Sequence, residues 1–168
     1  MYCAMMKQFL ALWFVLVLTG CTAESTLRSL VEEFPSHSNE FDELKNAMLH
    51  LSGVTKDFRL LSANSSGTQD DLVDFFENRP PVSFSTAVEG TFKLHRDQIL
   101  KAQKLVHVLG IDYVSVDQER KAVWITIHGG GVLASDKGYL YAGKGEIASF
   151  HLKRVLPIPN ENNWYAFD

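Results

Sequence analysis

Cysteine is nearly missing from this chain: only Cys3 and Cys21 occur among its 168 residues. Both lie near the amino terminus, so the sequence beyond them offers no thiol for a disulfide, a nucleophile or a thiolate metal site. Basic clusters are missing too. The formal net charge is -4, and Lys and Arg are scattered, which argues against a phosphate backbone as partner and excludes nucleic acid from the expected ligands. The six histidines, His37, His50, His95, His107, His128 and His151, show no H-E-x-x-H spacing, so no metal is expected. A membrane-spanning run is also lacking. Residues 8–18, QFLALWFVLVL after Lys7, have the length of a signal-peptide core and are followed by small residues rather than a basic stop.

That apolar run ends in Leu18-Thr19-Gly20-Cys21. The four residues resemble the lipobox of bacterial lipoproteins, in which the cysteine thiol is lipidated, the peptide is cut just before it and the new amino terminus is acylated. The resemblance covers the first two dozen residues. It implies a signal peptide over 1–20 and a single soluble domain over 21–168, tethered to a membrane through Cys21. Several acyl chains on one residue give the multiple anchors that stable attachment requires. In the lipoproteins that it resembles, a residue other than Asp after the cysteine directs a Gram-negative protein to the outer membrane, and Thr22 fits that address. The first five residues carry no charge, so a start at Met5 or Met6 rather than Met1 would give a compact signal peptide with Lys7 as its basic end. Residues 1–20 hold one lysine and no acid, leaving 15 basic against 20 acidic side chains in the remainder.

Beyond the anchor, periodicity predicts an α+β fold with N-terminal helices and a C-terminal antiparallel β-meander packed on a long helix. A short helix is expected over 22–33, ended by Pro35, and a second over 40–51, where Phe41, Leu44, Met48 and Leu51 share a face. A strand at 56–61 and a loop at SANSSG should follow. Thr68 and Asp71 read as the cap of a helix over 69–78, with Asp70, Asp71 and Asp74 near its amide dipoles. Residues 82–88 alternate as a strand, and Gly90 turns the chain into the longest helix, 96–109, closed by Gly110.

The meander spans 111–142 with period two. Val114, Val116, Val123, Ile125, Ile127 and Leu140 form the aliphatic set expected to face the helix. The opposite parity holds Tyr113, Trp124, Thr126, His128, Tyr139 and Tyr141, which is too aromatic for an ordinary solvated face. Either another part of the chain covers it or a partner does. The tail offers the first cover, with strand-like stretches in 147–156 and a last strand at 164–167.

Three motifs have a chemical look. His128-Gly129-Gly130-Gly131 resembles the oxyanion-hole segment of some lipases and esterases, yet the required G-x-S-x-G elbow does not occur, so a glycine bulge or tight turn is the reading. GYLYAGK at 138–144 meets the phosphate-loop spacing, but Gly145 stands where a magnesium-holding Ser or Thr belongs, and nucleotide is not expected. The aspartates lack the alternating ligands and central glycine of a calcium loop. No cofactor and no catalytic activity are expected. The resemblance to lipoproteins of this size, which include immunity proteins against periplasm-acting toxins, inhibitors and assembly factors, implies a cell-envelope protein facing the periplasm and binding another protein. Trp124, His128, Tyr139 and Tyr141 are the expected contact residues, ringed by the loops 117–121, 136–138 and 157–163. A structural envelope lipoprotein and a small-ligand carrier remain the competing classes, and an enzyme without a recognisable motif is the third option, which would require a cleft holding mutually oriented titratable residues.

Overall fold

The amphipathic spacing of Phe41, Leu44, Met48 and Leu51 is realised in a helix of 14 residues, and all four side chains are buried. The structure is a computed structural model, and it describes residues 26–77, 79–128 and 136–168. The expected signal peptide, Cys21 and the glycine run 129–131 lie outside the described residues. Residues 26–33 are helical (α1) and turn Leu27 and Leu30 inward. Pro35 falls in the first turn of a short 3-10 segment, Phe34–His37, where its missing N–H costs nothing. The chain therefore runs on into α2, Ser38–Leu51, two residues earlier than the spacing predicted.

Among the described residues eight strands form one antiparallel sheet: β1 Phe58–Leu61, β2 Leu72–Asp74, β3 Val82–Ser83, β4 Tyr113–Asp117, β5 Ala122–His128, β6 Lys137–Tyr141, β7 Val155–Pro157 and β8 Trp164–Phe167. Their order is β3-β2-β1-β4-β5-β6-β8-β7. The predicted meander is thus the centre, extended on one edge by β1 to β3 and on the other by the tail. Pro157 is tolerated because β7 is an edge strand.

One face of the sheet is the floor of the main core. Val73, Leu60, Val114, Ile125, Tyr139 and Ala166 lie in register across it, all buried, and the next row holds Phe58, Val116, Val123, Tyr141 and Trp164. Helix α5, Arg96–Val108, brings Ile99, Ala102, Leu105 and Val106 to the same core beside α2. Gly110, at φ +63°, ends this segment in left-handed backbone, as its position predicted.

Four expectations are corrected. The helix expected over 69–78 is not formed by its described residues 69–77: Leu72–Asp74 pair with β1, because Val73 alone of the three turns into the core and Asp71 is held inward by donors from other elements. The predicted strand 82–88 pairs only at Val82–Ser83. Ser83 then caps a helix, α4 (Phe84–Glu89, with the one-turn helix Ala63–Ser66 counted as α3), its Oγ accepting from the Thr86 amide at 3.3 Å. Within the tail, 147–150 is a 3-10 turn and only Val155–Pro157 is strand.

The fourth correction concerns parity. Ile125 pairs with Tyr139 and Trp124 with Leu140, so Tyr139 and Tyr141 face the helices and Leu140 faces away. An irregular register between Thr126 and His128 sets this phase, and one residue of slip exchanges the faces of a strand. Gly138 is required at that point, since a Cβ there would lie 1.9 Å from the Ile125 carbonyl oxygen.

Candidate functional site

The outer face of the sheet, away from the helices, is covered along only part of its width. Over β5, β6 and β8, Ala122, Leu140, Ala142 and Phe167 form a second buried cluster, flanked within the sheet by Val155 and Tyr165 and roofed by Ile147, Phe150 and Leu152. The tail thus supplies the internal cover that the aromatic parity called for. Among the described residues the roof stops toward β4 and β1. A cleft of about 410 Å³ opens there, lined by Arg59, Tyr113, Ser115, Trp124, Thr126 and Phe167 with Asp136, His151 and Lys153 also at its walls. A neighbouring hollow of about 220 Å³ shares Ser115 and Trp124 with it and extends toward Asp57, Phe76 and Asp117.

Strand register builds the floor. Arg59, Ser115, Trp124 and Leu140 are successive cross-strand partners in one row, and Tyr113 and Thr126 pair in the next. Trp124 packs edge-on against Phe150 at 5.0 Å and Phe167 at 5.3 Å, so the tail fixes one side of its ring while the rest of the residue keeps partial exposure. The Tyr113 hydroxyl donates to Asp136 Oδ2 at 2.5 Å. Burial, then this bond and the neighbouring carboxylate charge, push that hydroxyl above its ordinary value and keep it a donor.

Arg59 is the unusual member. Its guanidinium carbon lies 4.7 Å from the Tyr113 ring centre and 4.9 Å from that of Phe76. Its Nε is buried without a hydrogen-bond partner among the described residues. Phe76 reaches this position through backbone at φ +52°, costly for a bulky residue, with its amide donating to Asp74 Oδ1 at 3.0 Å. Every carboxylate around the cleft already has a donor. Asp57 accepts from the Gln118 amide, Asp117 from Arg120, Asp136 from Tyr113 and Asp168 from Arg154.

Of the three expected contact residues whose side chains are described, the structure places Trp124 in the cleft and the two tyrosines elsewhere. Tyr139 is fully buried among Phe34 and Phe41, and its hydroxyl donates to the Leu30 carbonyl at 2.9 Å. Burial and the Glu33 charge push that hydroxyl well up. Tyr139 therefore belongs to the core and not to an open surface. Tyr141 lies on the helix side, edge-on to Trp164, with Lys45 Nζ 4.7 Å from its ring centre. The side chain of His128 lies outside what is described. Loops 117–121 and 136–138 do reach the Trp124 side through Asp117 and Asp136, whereas Ile158 of the 157–163 loop enters the main core. Arg59 and Phe76 were not singled out in the sequence, and no local pattern marks them, since only the β2-β1-β4 pairing brings them to Tyr113.

A second polar cluster sits elsewhere. Asp71, nearly buried, accepts from the Ala63 amide at 2.8 Å, from Gln103 at 2.6 Å and from His107 at 2.8 Å. Burial alone would raise its carboxyl, but these bonds outweigh it and leave the group below its ordinary 3.8. This ties α3 and α5 to the start of β2, a structural lock. Among the described residues no group of three or more His, Cys, Asp or Glu is placed to hold a metal ion. Residues 138–141 of the phosphate-loop-like stretch lie in β6. Comparison of the chain with protein-family models, curated proteins and solved structures found no match.

Proposed function

We propose that this chain is a lipid-anchored protein-binding module of the cell envelope, tethered through Cys21 at the outer membrane and facing the periplasm, which acts by capturing another protein rather than by catalysis. An immunity protein or inhibitor directed at a periplasm-acting toxin or enzyme is the form of this function that the reading favours. The observation that carries it is the part of the outer sheet face that the described residues leave unroofed, where the partly exposed Trp124 lies beside polar and charged walls. An aromatic centre with a polar border is the usual anatomy of a protein interface. A small-ligand carrier would call for an enclosed apolar cavity, and the cleft's lining of Arg59, Ser115, Thr126 and Asp136 does not favour that alternative.

The test is capture of a partner by the full chain in its own host, with three baits. Wild type and Lys104→Ala, altered on the exposed side of α5, should retain the same protein, and Trp124→Ala should lose it. Equal retention by all three baits would refute the assignment of the cleft as the binding face.

A further inference from the structure

The geometry points to Arg59 as the receptor for a carboxylate on the partner, an Asp or Glu side chain that enters the cleft beside Trp124. This inference rests on the protein-binding reading above and names the chemistry that the cleft selects.

An arginine carries five N–H donors in a planar fork and cannot shed its charge, so a partly buried one normally finds an acceptor. Arg59 makes no ion pair among the described residues, and its Nε is buried without any partner. The deficit is not for want of nearby acids. Asp74 is its direct cross-strand neighbour, but Asp74 Oδ1 takes the Phe76 amide, and Asp136 takes the Tyr113 hydroxyl. Those bonds position the two rings that flank the guanidinium, and although both carboxylates keep their charge, neither comes within ion-pair distance of Arg59.

Those rings come from opposite sides. Tyr113 is on β4 and Phe76 follows β2, the two strands that border β1. Ring faces satisfy the guanidinium's flat surfaces and burial closes off Nε, so the terminal Nη donors are the edge left for an acceptor. A planar carboxylate matches that edge with two parallel hydrogen bonds, and this is the reason for naming a carboxylate rather than a tetrahedral anion. Phe76 is held there in left-handed backbone, a strained conformation for a bulky residue that the fold must offset elsewhere. Ser115 and Thr126 add hydroxyls to the floor, and Trp124 gives the apolar wall against which the methylene stem of a Glu can lie.

The test uses the full chain in detergent and two synthetic peptides, acetyl-Gly-Glu-Gly-amide and its Gln twin, with inorganic phosphate as a third titrant. The readouts are the Arg59 Nε–H resonance and Trp124 emission. The Glu peptide is expected to shift the Arg59 resonance saturably, the Gln peptide and phosphate to leave it in place, and Arg59→Lys to weaken Glu-peptide binding by about tenfold or more. No shift up to the solubility of the Glu peptide, or an equal shift with the Gln peptide or phosphate, overturns the inference. The titration of the wild-type chain decides this even if Arg59→Lys does not fold. If partner capture depends on Trp124 while the resonance ignores the Glu peptide, this inference fails and the binding function stands. If the resonance responds but no partner depends on Trp124, the binding function fails and the carboxylate site stands.

Discussion

Truncating Tyr139 and Trp124 separates the two faces of the sheet, although both rings belong to the same meander. Tyr139 is fully buried, with ring centres of Phe34 and Phe41 at 5.1 and 4.7 Å and a hydroxyl bonded to the Leu30 carbonyl. Removing a packed aromatic ring leaves a cavity that the surroundings close only in part, so Tyr139→Ala should cost about 4 kcal/mol or more. For a chain of this length that lowers the melting midpoint by on the order of 10 °C. Tyr139→Phe keeps the ring and deletes one hydrogen bond, and should cost about 1 kcal/mol. Trp124 is partly exposed and held from one side by Phe150 and Phe167, so Trp124→Ala should cost about 2 kcal/mol and lift the roof locally. Urea unfolding followed by far-ultraviolet circular dichroism gives all three values. A Tyr139→Ala protein no less stable than Trp124→Ala would refute the assignment of faces, and with it the register of β5 and β6.

Further outcomes follow from single sites. Gly138→Ala drives a methyl into the Ile125 carbonyl and should destabilise by several kcal/mol, on the order of 3, read by the same unfolding curves. Asp71→Asn weakens bonds from Ala63, Gln103 and His107 and should cost about 2–4 kcal/mol near neutral pH. Because the folded-state carboxyl lies below its ordinary 3.8, the stability that it contributes is present above that value and is lost as pH falls through the lower folded value. The gap between Asp71→Asn and wild type should therefore narrow below about pH 4. Labelled palmitate should enter the chain in its host and fail to enter Cys21→Ala, and intact mass should show cleavage before Cys21; a full-length mass without label would contradict the anchor.

Legibility of the fold followed periodicity. Helices α2 and α5 were readable because their apolar residues recur at helical spacing over more than three turns, and β4 and β5 because they alternate without interruption. The stretch 69–78 misled because Leu72, Val73, Phe75 and Phe76 fit a helix or a short strand equally, and long-range pairing with β1 decided it. Leu140 and Tyr139 were exchanged because a register irregularity near 126–128 is invisible in a pattern of alternation. The site was half legible. Trp124 was conspicuous as an aromatic on a face that should be polar, whereas Arg59 reads as an ordinary strand residue until the sheet order sets it between Phe76 and Tyr113.

The most direct test of the binding face is site-specific photo-crosslinking in the living host. A crosslinking residue in place of Lys153, exposed at the cleft wall, should yield a discrete adduct with one protein, and the same residue in place of Lys104 on α5 should yield none. An adduct from position 104 but not from 153 would place the interface on the helices and contradict the account.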